Sequence, residues 1–166
     1  MKSKIVYSGL YFDPGKWTIT SEQHENGANE YRFRGTFNPE LQGSFGSYKG
    51  NHSVTTLEKA KNSVISVFLK SPEISVRKKE FRKVNGIDMF YIRFYEIETG
   101  YEVIQNHFVT NDGYYTVIEA AVPEKVFNKN EAAMEELING GIKIQTEKLI
   151  YDNTAAPVPP PVIPKN

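Results

Sequence analysis

Residues 73–122 constrain the fold of this chain more than any other stretch, because they hold four strand-like runs in succession, closed by a Pro-initiated helix. Asn85-Gly86 is the sharpest turn signal between the runs. Both residues tolerate positive φ, which a two-residue type I′ hairpin requires. Glu98-Thr99-Gly100 and Asn111-Asp112-Gly113 mark the next two junctions with the same chemistry. The pattern predicts an antiparallel meander and leaves little room for a parallel nucleotide-binding fold.

The run that follows Asn85-Gly86 is apolar on both faces. One face carries Ile87, Met89, Tyr91, Tyr95 and Ile97, and the other carries Phe90, Ile92 and Phe94. Two apolar faces are typical of a strand that is covered on both sides. We therefore expect residues 87–97 to form a central strand of the sheet.

A first helix is predicted over residues 55–70. Thr55-x-x-Glu58 forms a capping box, in which each side chain can satisfy the free backbone N–H of the other residue. The apolar residues that follow recur at helical spacing on one face. Pro72 ends the helix.

A second helix is predicted over residues 129–139, where the apolar side chains again share one face. Asn128 is the predicted N-cap, with Glu131 three residues later, and Gly140-Gly141 supplies a left-handed C-cap. The alternating residues 142–144 then predict a short strand at the sheet edge.

The N-terminal part, residues 5–49, is predicted to form irregular β-hairpins. Residues 31–37 alternate apolar and polar with the period of a half-buried strand. Residues 17–20 and 43–48 are weaker strand predictions, and the polar stretch 21–29 is predicted to be a loop.

These elements predict an α+β fold with a central antiparallel meander sheet, two flanking helices, an N-terminal β-hairpin region and a Pro-rich C-terminal tail. At 166 residues the chain is expected to form a single domain over residues 1–152, followed by the tail at residues 153–166. Five prolines among residues 155–164 indicate polyproline II rather than a packed core.

Charge and cysteine content exclude several classes of function. Twenty basic residues balance twenty acidic ones, so no net field attracts nucleic acid or anionic lipid, and no cysteine is present for a disulfide or a thiolate site. No apolar run approaches the length of a membrane span. Residues 1–7 lack the apolar stretch of a signal peptide. This predicts a cytoplasmic location if Met1 is the native start, and a periplasmic or extracytoplasmic one if the chain is a processed form.

The order of hairpins, helix, meander, helix and short strand resembles the PsbP-like and DcrB-like fold family. Tyr11-Phe12-x-Pro14-x-x-Trp17 is similar to an early segment of that family, and Asp112-Gly113-x-Tyr115 with Val122-Pro123-x-x-x-Phe127 is similar to its last strand-to-helix passage. The resemblance covers roughly residues 10–145. It implies a non-enzymatic scaffold that binds other proteins or small ligands. The metal associations of the family do not carry over, because the sequence shows no matching ligand cluster.

The sequence offers little chemistry for catalysis or metal binding. His24, His52 and His107 share no metal-ligand spacing, so we interpret them as solvated or structural residues. No nucleophile elbow, phosphate-binding loop or dinucleotide motif occurs. We therefore predict no catalytic residue, no metal and no cofactor.

The basic run at residues 77–83 has two interpretations. On a strand, Arg77, Lys79 and Lys83 would lie on one side and Lys78 and Arg82 on the other. The run can bind an acidic partner or a phosphate backbone. A solvated edge strand, whose lysines deter aggregation, is the favoured interpretation.

Tyrosines and the tail supply the candidate partner-binding residues. Amphipathic tyrosines at strand ends offer a large contact area with a wet hydroxyl. The candidates are Tyr7, Tyr11, Tyr48, Tyr101 and Tyr114, with packing at the edge of the core as the alternative. A stiff Pro-rich segment loses little entropy when it docks on an aromatic groove. Pro159, Pro160 and Pro161 are therefore further candidates, with a disordered terminus as the alternative.

Two functions follow from this pattern. The first is a non-enzymatic protein-interaction module, an accessory subunit or adaptor of a bacterial assembly, whose partner is another protein rather than nucleic acid. The second is a small-molecule-binding protein or an enzyme with a pocket between sheet and helix.

Overall fold

The computed structural model describes residues 15–25, 28–48, 54–109 and 113–140. In chain order the elements are β1 (Trp17–Glu25), β2 (Ala28–Gly35), β3 (Gln42–Tyr48), α1 (Leu57–Phe68), β4 (Ile74–Val84), β5 (Ile87–Glu96), β6 (Tyr101–Val109), β7 (Tyr115–Pro123) and α2 (Glu124–Gly140). The predicted strand at residues 142–144 and the Pro-rich tail lie outside the described residues.

All seven strands form one sheet in the order β1-β2-β3-β7-β6-β5-β4, and every neighbouring pair is antiparallel. The meander predicted for residues 73–122 is confirmed as strands β4 to β7. The N-terminal hairpins join the same sheet through the pairing of β3 with β7. Strand β7 is therefore the middle strand, and β5 lies second from an edge. The predicted α+β class with a central antiparallel sheet and two helices is confirmed.

The turn between β4 and β5 has the predicted geometry. Asn85 has φ of 49° and Gly86 has φ of 83°, and the flanking residues Val84 and Ile87 pair directly. Positive φ at both central residues is the condition for a type I′ turn, whose twist matches that of the strands. Gly100 and Gly113 likewise have positive φ at the next two junctions.

Each face of the sheet packs against one helix, so the core consists of two apolar clusters, one on each face. The α2 side holds the larger cluster, which includes Tyr31, Phe33, Phe45, Met89, Tyr91, Ile104, Phe108, Ile118, Phe127, Met134 and Ile138. The α1 side holds Val64, Phe90, Ile92, Phe94 and Val103. Strand β5 contributes to both clusters, which confirms that it is covered on both sides.

Helix α1 begins two residues later than predicted. Thr56, not Thr55, is the N-cap, and its hydroxyl accepts a hydrogen bond from the backbone N–H of Lys59 at 3.2 Å. The proposed capping box at Thr55 is therefore wrong by one residue. Threonine at either position can cap a helix, and the packing of Ala60 and Val64 against the sheet selects the register.

Helix α2 begins at Glu124, directly after Pro123 ends β7, so it starts five residues before the predicted residue 129. Asn128 lies inside the helix and is not its N-cap. A kink occurs at Asn130 (φ −130°, ψ 19°), whose side-chain amide donates to the carbonyl of Val126 at 2.8 Å. Asparagine competes with the helical backbone for such bonds, which is consistent with the kink at Asn130.

The polar stretch 21–29 is not the predicted loop. Strand β1 continues to Glu25 and β2 begins at Ala28, and the pairs between Ser21 and Arg32 and between Glu25 and Ala28 extend the hairpin almost to its turn. The side chains of Ser21, Gln23 and Glu30 in this part of the hairpin are exposed, so the stretch needs few apolar residues and resembles a loop in sequence.

Candidate functional site

Among the described residues, helix α1 covers one half of the α1 side of the sheet and no helix covers the other half. Helix α1 packs on β5 and β6. Strands β1, β2, β3 and β7, with the near end of β6, line a cavity of about 510 Å³ beside it. Its lining, which we name the open groove, comprises Thr20, Arg32, Phe33, Arg34, Pro39, Gln42, Gly43, Ser44, Tyr101, Glu119 and Ala121.

Two arginines form one wall of the open groove. Strand β2 alternates, so Tyr31 and Phe33 enter the core on the α2 side while Arg32 and Arg34 project from the opposite side. Both arginines are exposed, and among the described residues neither guanidinium forms an ion pair. They are thus free to bind an anionic group from outside.

Neutral hydrogen-bonding side chains lie next to these arginines. Arg32 is opposite Ser44 on β3, and Arg34 is opposite Gln42. Ser44 is in turn opposite Glu119 on β7. A row of guanidinium, hydroxyl and carboxyl groups therefore runs across three neighbouring strands.

Glu119 is the carboxyl group at the far end of this row. Its Oε2 accepts a hydrogen bond from the side-chain amide of Gln105 at 2.6 Å. Burial raises the pKa of the Glu119 carboxyl, although the hydrogen bond from Gln105 opposes that shift.

A buried hydrogen-bond chain leads from Glu119 along the sheet. Gln105 Oε1 lies 2.8 Å from His107 Nε2, and His107 Nδ1 lies 2.7 Å from the Tyr115 hydroxyl. One tautomer satisfies every member: Tyr115 donates to Nδ1, Nε2–H donates to Gln105, and Gln105 donates to Glu119. Burial lowers the pKa of His107 to about 3 and raises that of Tyr115 to about 12, so both stay neutral at pH 7.

Tyr48 extends this surface on the far side of Tyr115. The two rings lie 6.4 Å apart, and the Tyr48 hydroxyl donates to Glu30 at 3.0 Å. Burial and the neighbouring Glu30 carboxylate raise the pKa of Tyr48 to about 12. The ring lies over Gly46, where an added Cβ would lie 2.3 Å from the Tyr48 hydroxyl oxygen. Glycine at this position therefore makes room for the ring.

The three candidate partner-binding tyrosines that the structure describes do not form one surface. Tyr101 lines the open groove and is 39% exposed. Tyr48 is half-buried on the same side of the sheet, outside the cavity lining. Tyr114 is 5% exposed, so its side chain is not available to a partner in this structure. Tyr7, Tyr11, Pro159, Pro160 and Pro161 lie outside the described residues.

Arg32, Arg34 and Glu119 were not among the residues predicted from the sequence. Alternation in β2 was the available signal, because it places Arg32 and Arg34 on one face opposite the core residues. Nothing in the sequence indicated that no helix of the described residues would pack on this face. Glu119 becomes part of the same site through the pairing of β3 with β7, which joins segments far apart in the chain.

The basic run lies on β4, which is an edge strand of the sheet, as the favoured interpretation predicted. A bulge between Val76 and Lys78 turns Arg77 toward the α2 side, where it contacts Glu102 and Glu124, so its predicted placement beside Lys79 is wrong.

Most of this basic charge is neutralised within the chain. Besides Arg77, three residues of the run form ion pairs: Lys78 with Glu80, Arg82 with Glu80 and Glu135, and Lys83 with Asp88. The run therefore offers little free charge to a polyanion.

Polar contacts on the α2 side fasten the helix to the sheet. The Tyr91 hydroxyl donates to Glu135 at 2.7 Å, and the Arg82 guanidinium lies 3.4 Å from the centre of the Tyr91 ring. Arg93 pairs with the buried Glu102 and donates to Glu131 of α2 at 2.8 Å. Every partner of these groups is already in place, which indicates a structural role.

No group of three metal-ligating side chains occurs within residues 15–25, 28–48, 54–109 and 113–140. Neither helix in those ranges is long and apolar enough to cross a membrane.

Comparison with known proteins identifies the fold. No protein-family model and no curated protein sequence matches this chain. The solution structure of cyanobacterial PsbP (CyanoP) from Synechocystis sp. PCC 6803 is similar to it, with a TM-score of 0.57 and 10% identity, covering 87% of this chain and 91% of that chain. At this identity the likeness concerns the fold alone. The chain has a PsbP-like fold, as its order of elements and the segments quoted from its sequence indicated.

Proposed function

We propose that this chain is a non-enzymatic protein-interaction module, an accessory subunit or adaptor of a bacterial assembly, which binds a segment of another protein in the open groove. The observation that carries the proposal is the division of the α1 side of the sheet. A helix packs on β5 and β6, while the neighbouring strands present a cavity lined by solvated arginines and neutral polar groups.

The chemistry of the site favours binding over catalysis. His107 is the histidine whose side chain the structure describes, and it is 3% exposed with both ring nitrogens engaged by neighbouring side chains. A general base must reach the proton that it abstracts, and its pKa must lie near the working pH. His107 meets neither condition, so we assign it to the structural support of the groove.

A small ligand is the second candidate, because about 510 Å³ is within the usual size of a ligand pocket, roughly 300–1,000 Å³. Such pockets are mostly apolar and enclose their ligand. The predicted pocket lay between sheet and helix, whereas this cavity is lined by strands of the sheet and the β2–β3 loop. Its arginines are exposed. A polar segment that lies across the strands suits this geometry better.

Site-specific photocrosslinking tests the proposal. A benzoylphenylalanine in place of Gln42 reports on the open groove, and one in place of the exposed Ala132 on α2 is the matched control. Each variant is irradiated in the native host, and its products are identified by mass spectrometry. We expect a discrete adduct with one other protein from position 42 and not from position 132.

Two results would contradict the proposed function. The first is the same pattern of adducts, or none, at both positions. The second is an adduct of position 42 with a second copy of this chain, which would make the groove a self-association surface.

A further inference from the structure

We infer that the open groove recognises an acidic, extended segment, in which Arg32 and Arg34 each bind the carboxylate of an Asp or Glu at alternate positions. The inference rests on the proposed function and adds the chemistry and spacing of the partner. Its basis is the pair of guanidiniums on one face of β2, together with the polar groups around them.

The positive charge of the two exposed arginines favours a negatively charged ligand in the open groove. Both arginines are exposed, and neither forms an ion pair with another described residue. Glu119 is the acidic residue in the lining, and its Oε2 accepts a hydrogen bond from the Gln105 amide rather than an ion pair with either arginine. An anion that enters the groove therefore meets two uncompensated guanidiniums, whose planar donors match a carboxylate in bidentate geometry.

The spacing of the arginines selects an extended ligand. Residues i and i+2 of a strand lie about 6.8 Å apart and point to the same side. Arg32 and Arg34 therefore present their charges at that interval. A second extended chain that runs along β2 above the sheet presents its own alternate side chains at the same interval. A Glu-x-Glu or Asp-x-Asp pattern can then place one carboxylate against each arginine.

The rest of the lining favours a protein segment over a polynucleotide. Ser44 and Gln42 lie directly opposite the arginines and can hydrogen-bond a peptide backbone. Tyr101, which is 39% exposed, adds an aromatic surface at the opposite wall. A polynucleotide is held by a stripe of several basic residues. The lining contains two, and the basic run on the edge strand β4 is largely paired within the chain.

Fluorescence polarisation with short labelled peptides tests the inference. The probes are a Glu-Ser repeat, its Gln-Ser analogue, and a peptide that carries the same number of Glu residues at every third position. We expect the full chain to bind the Glu-Ser repeat more tightly than both others, and we expect added salt to weaken that binding. The double variant Arg32→Glu/Arg34→Glu should bind it at least about tenfold more weakly.

A matched charge change controls for the net charge of the protein. Lys125 and Lys129 are exposed residues of α2, on the opposite side of the sheet. The variant Lys125→Glu/Lys129→Glu has the same net charge as the groove variant and should bind the Glu-Ser repeat as the unchanged chain does. Circular dichroism and thermal melting establish that both variants fold.

Four outcomes overturn the inference. They are equal binding of the Glu and Gln peptides, equal loss of binding in both charge variants, no binding of the Glu-Ser repeat, and tighter binding of a single-stranded oligonucleotide that is lost in the groove variant.

The crosslinking experiment separates the two proposals. An adduct at position 42 that survives Arg32→Glu/Arg34→Glu overturns the acidic segment while the interaction module stands, whereas the absence of a position-specific adduct when both arginines are present overturns the module itself.

Discussion

The Nδ1 atom of His107 lies 2.7 Å from the hydroxyl oxygen of Tyr115, and the two rings stack with an angle of 16° between their planes. Nε2 is engaged on the other side by Gln105. The imidazole is thus held in one orientation, with an acceptor nitrogen facing Tyr115 and a donor nitrogen facing Gln105. This arrangement requires neutral imidazole.

The first prediction is a pH dependence of stability that belongs to His107. Its pKa is about 3 in the folded chain and near 6.5 when unfolded, so the unfolded chain gains a proton between these pH values and the folded chain does not. The contribution of His107 to the free energy of unfolding is therefore fully present above pH 6.5 and is lost as the pH falls toward 3. Its slope approaches about 1.4 kcal/mol per pH unit.

Comparison with His107→Gln isolates this contribution. Urea unfolding of both chains is measured between pH 7.5 and pH 4.5. Glu119 has a raised pKa and contributes in the opposite sense, but it is present in both chains and cancels from the difference. We expect the advantage of the histidine chain to shrink as the pH falls. A difference that stays constant would show that His107 is protonated in both states or in neither.

The second prediction concerns Glu102, which is 1% exposed on β6 and pairs with Arg93. The Arg77 guanidinium is farther away, with its Nε 4.0 Å from the carboxylate. Replacing Arg93 by Met leaves a buried carboxylate with a single distant cation. We expect Arg93→Met to reduce the free energy of unfolding by about 3 kcal/mol.

A double-mutant cycle checks that assignment. Arg93→Met/Glu102→Met removes both charges and should be more stable than Arg93→Met alone, because no uncompensated charge remains in the core. Denaturant unfolding of the four chains at pH 7 gives the coupling energy. Additive losses would mean that Arg93 stabilises the fold through its contacts with Glu131 and the Phe127 ring instead.

The third prediction concerns Asn106, a fully buried residue of β6 that satisfies the end of α2. Its amide donates to the carbonyl of Ile138 and to the side-chain oxygen of Asn139, each at 2.9 Å. The last four carbonyls of a helix have no partner within the helix. Asn106→Ala removes both bonds and should cost about 2–3 kcal/mol. Asn139→Ala removes one of them and should cost about 1 kcal/mol.

Hydrogen exchange complements the stability measurement for Asn106→Ala. If the residue acts as a cap, the final turn of α2 loses protection more than the middle of the helix does. Uniform loss of protection along α2 would contradict a capping role.

Local signals predicted the meander because each of its connections is a short turn with its own chemistry. Asn85-Gly86 determines the geometry of its hairpin almost alone, since few other residues accept positive φ. The position of β3 beside β7 could not be predicted in this way. That pairing joins residues such as Phe45 and Ile118, which lie in separate strands with no short turn between them.

The candidate site depended on the same non-local information. Sequence alternation separates Arg32 and Arg34 from the core residues of β2, but it does not reveal which half of the sheet a helix will cover. The hydrogen-bond chain that links Glu119 to Tyr115 could likewise not be predicted from the sequence. It needs the cross-strand alignment of Gln105 with Glu119 and of His107 with Val117. Tyr101, one of the predicted partner-binding residues, lines the open groove, and its position at a strand end could be recognised locally.

The last prediction concerns Gly43, where β3 approaches β7 beneath α2. A Cβ added there would lie 2.6 Å from the backbone carbonyl oxygen of Glu119, 2.6 Å from Cε2 of Phe33 and 2.9 Å from Cδ2 of Leu137. The carbonyl oxygen cannot turn aside without disturbing the β3–β7 pairing. We therefore expect Gly43→Ala to reduce the free energy of unfolding by about 2–3 kcal/mol through overpacking.

Gly113→Ala is the matched control, because it tests backbone strain without crowding. Gly113 has φ of 85° and no atom within 4 Å of the added Cβ, so its substitution should cost about 1 kcal/mol. Urea unfolding compares the two variants with the unchanged chain. Equal stability losses would show that β3 can move away from β7 at little cost, and the close approach at Gly43 would then not be a requirement of the fold.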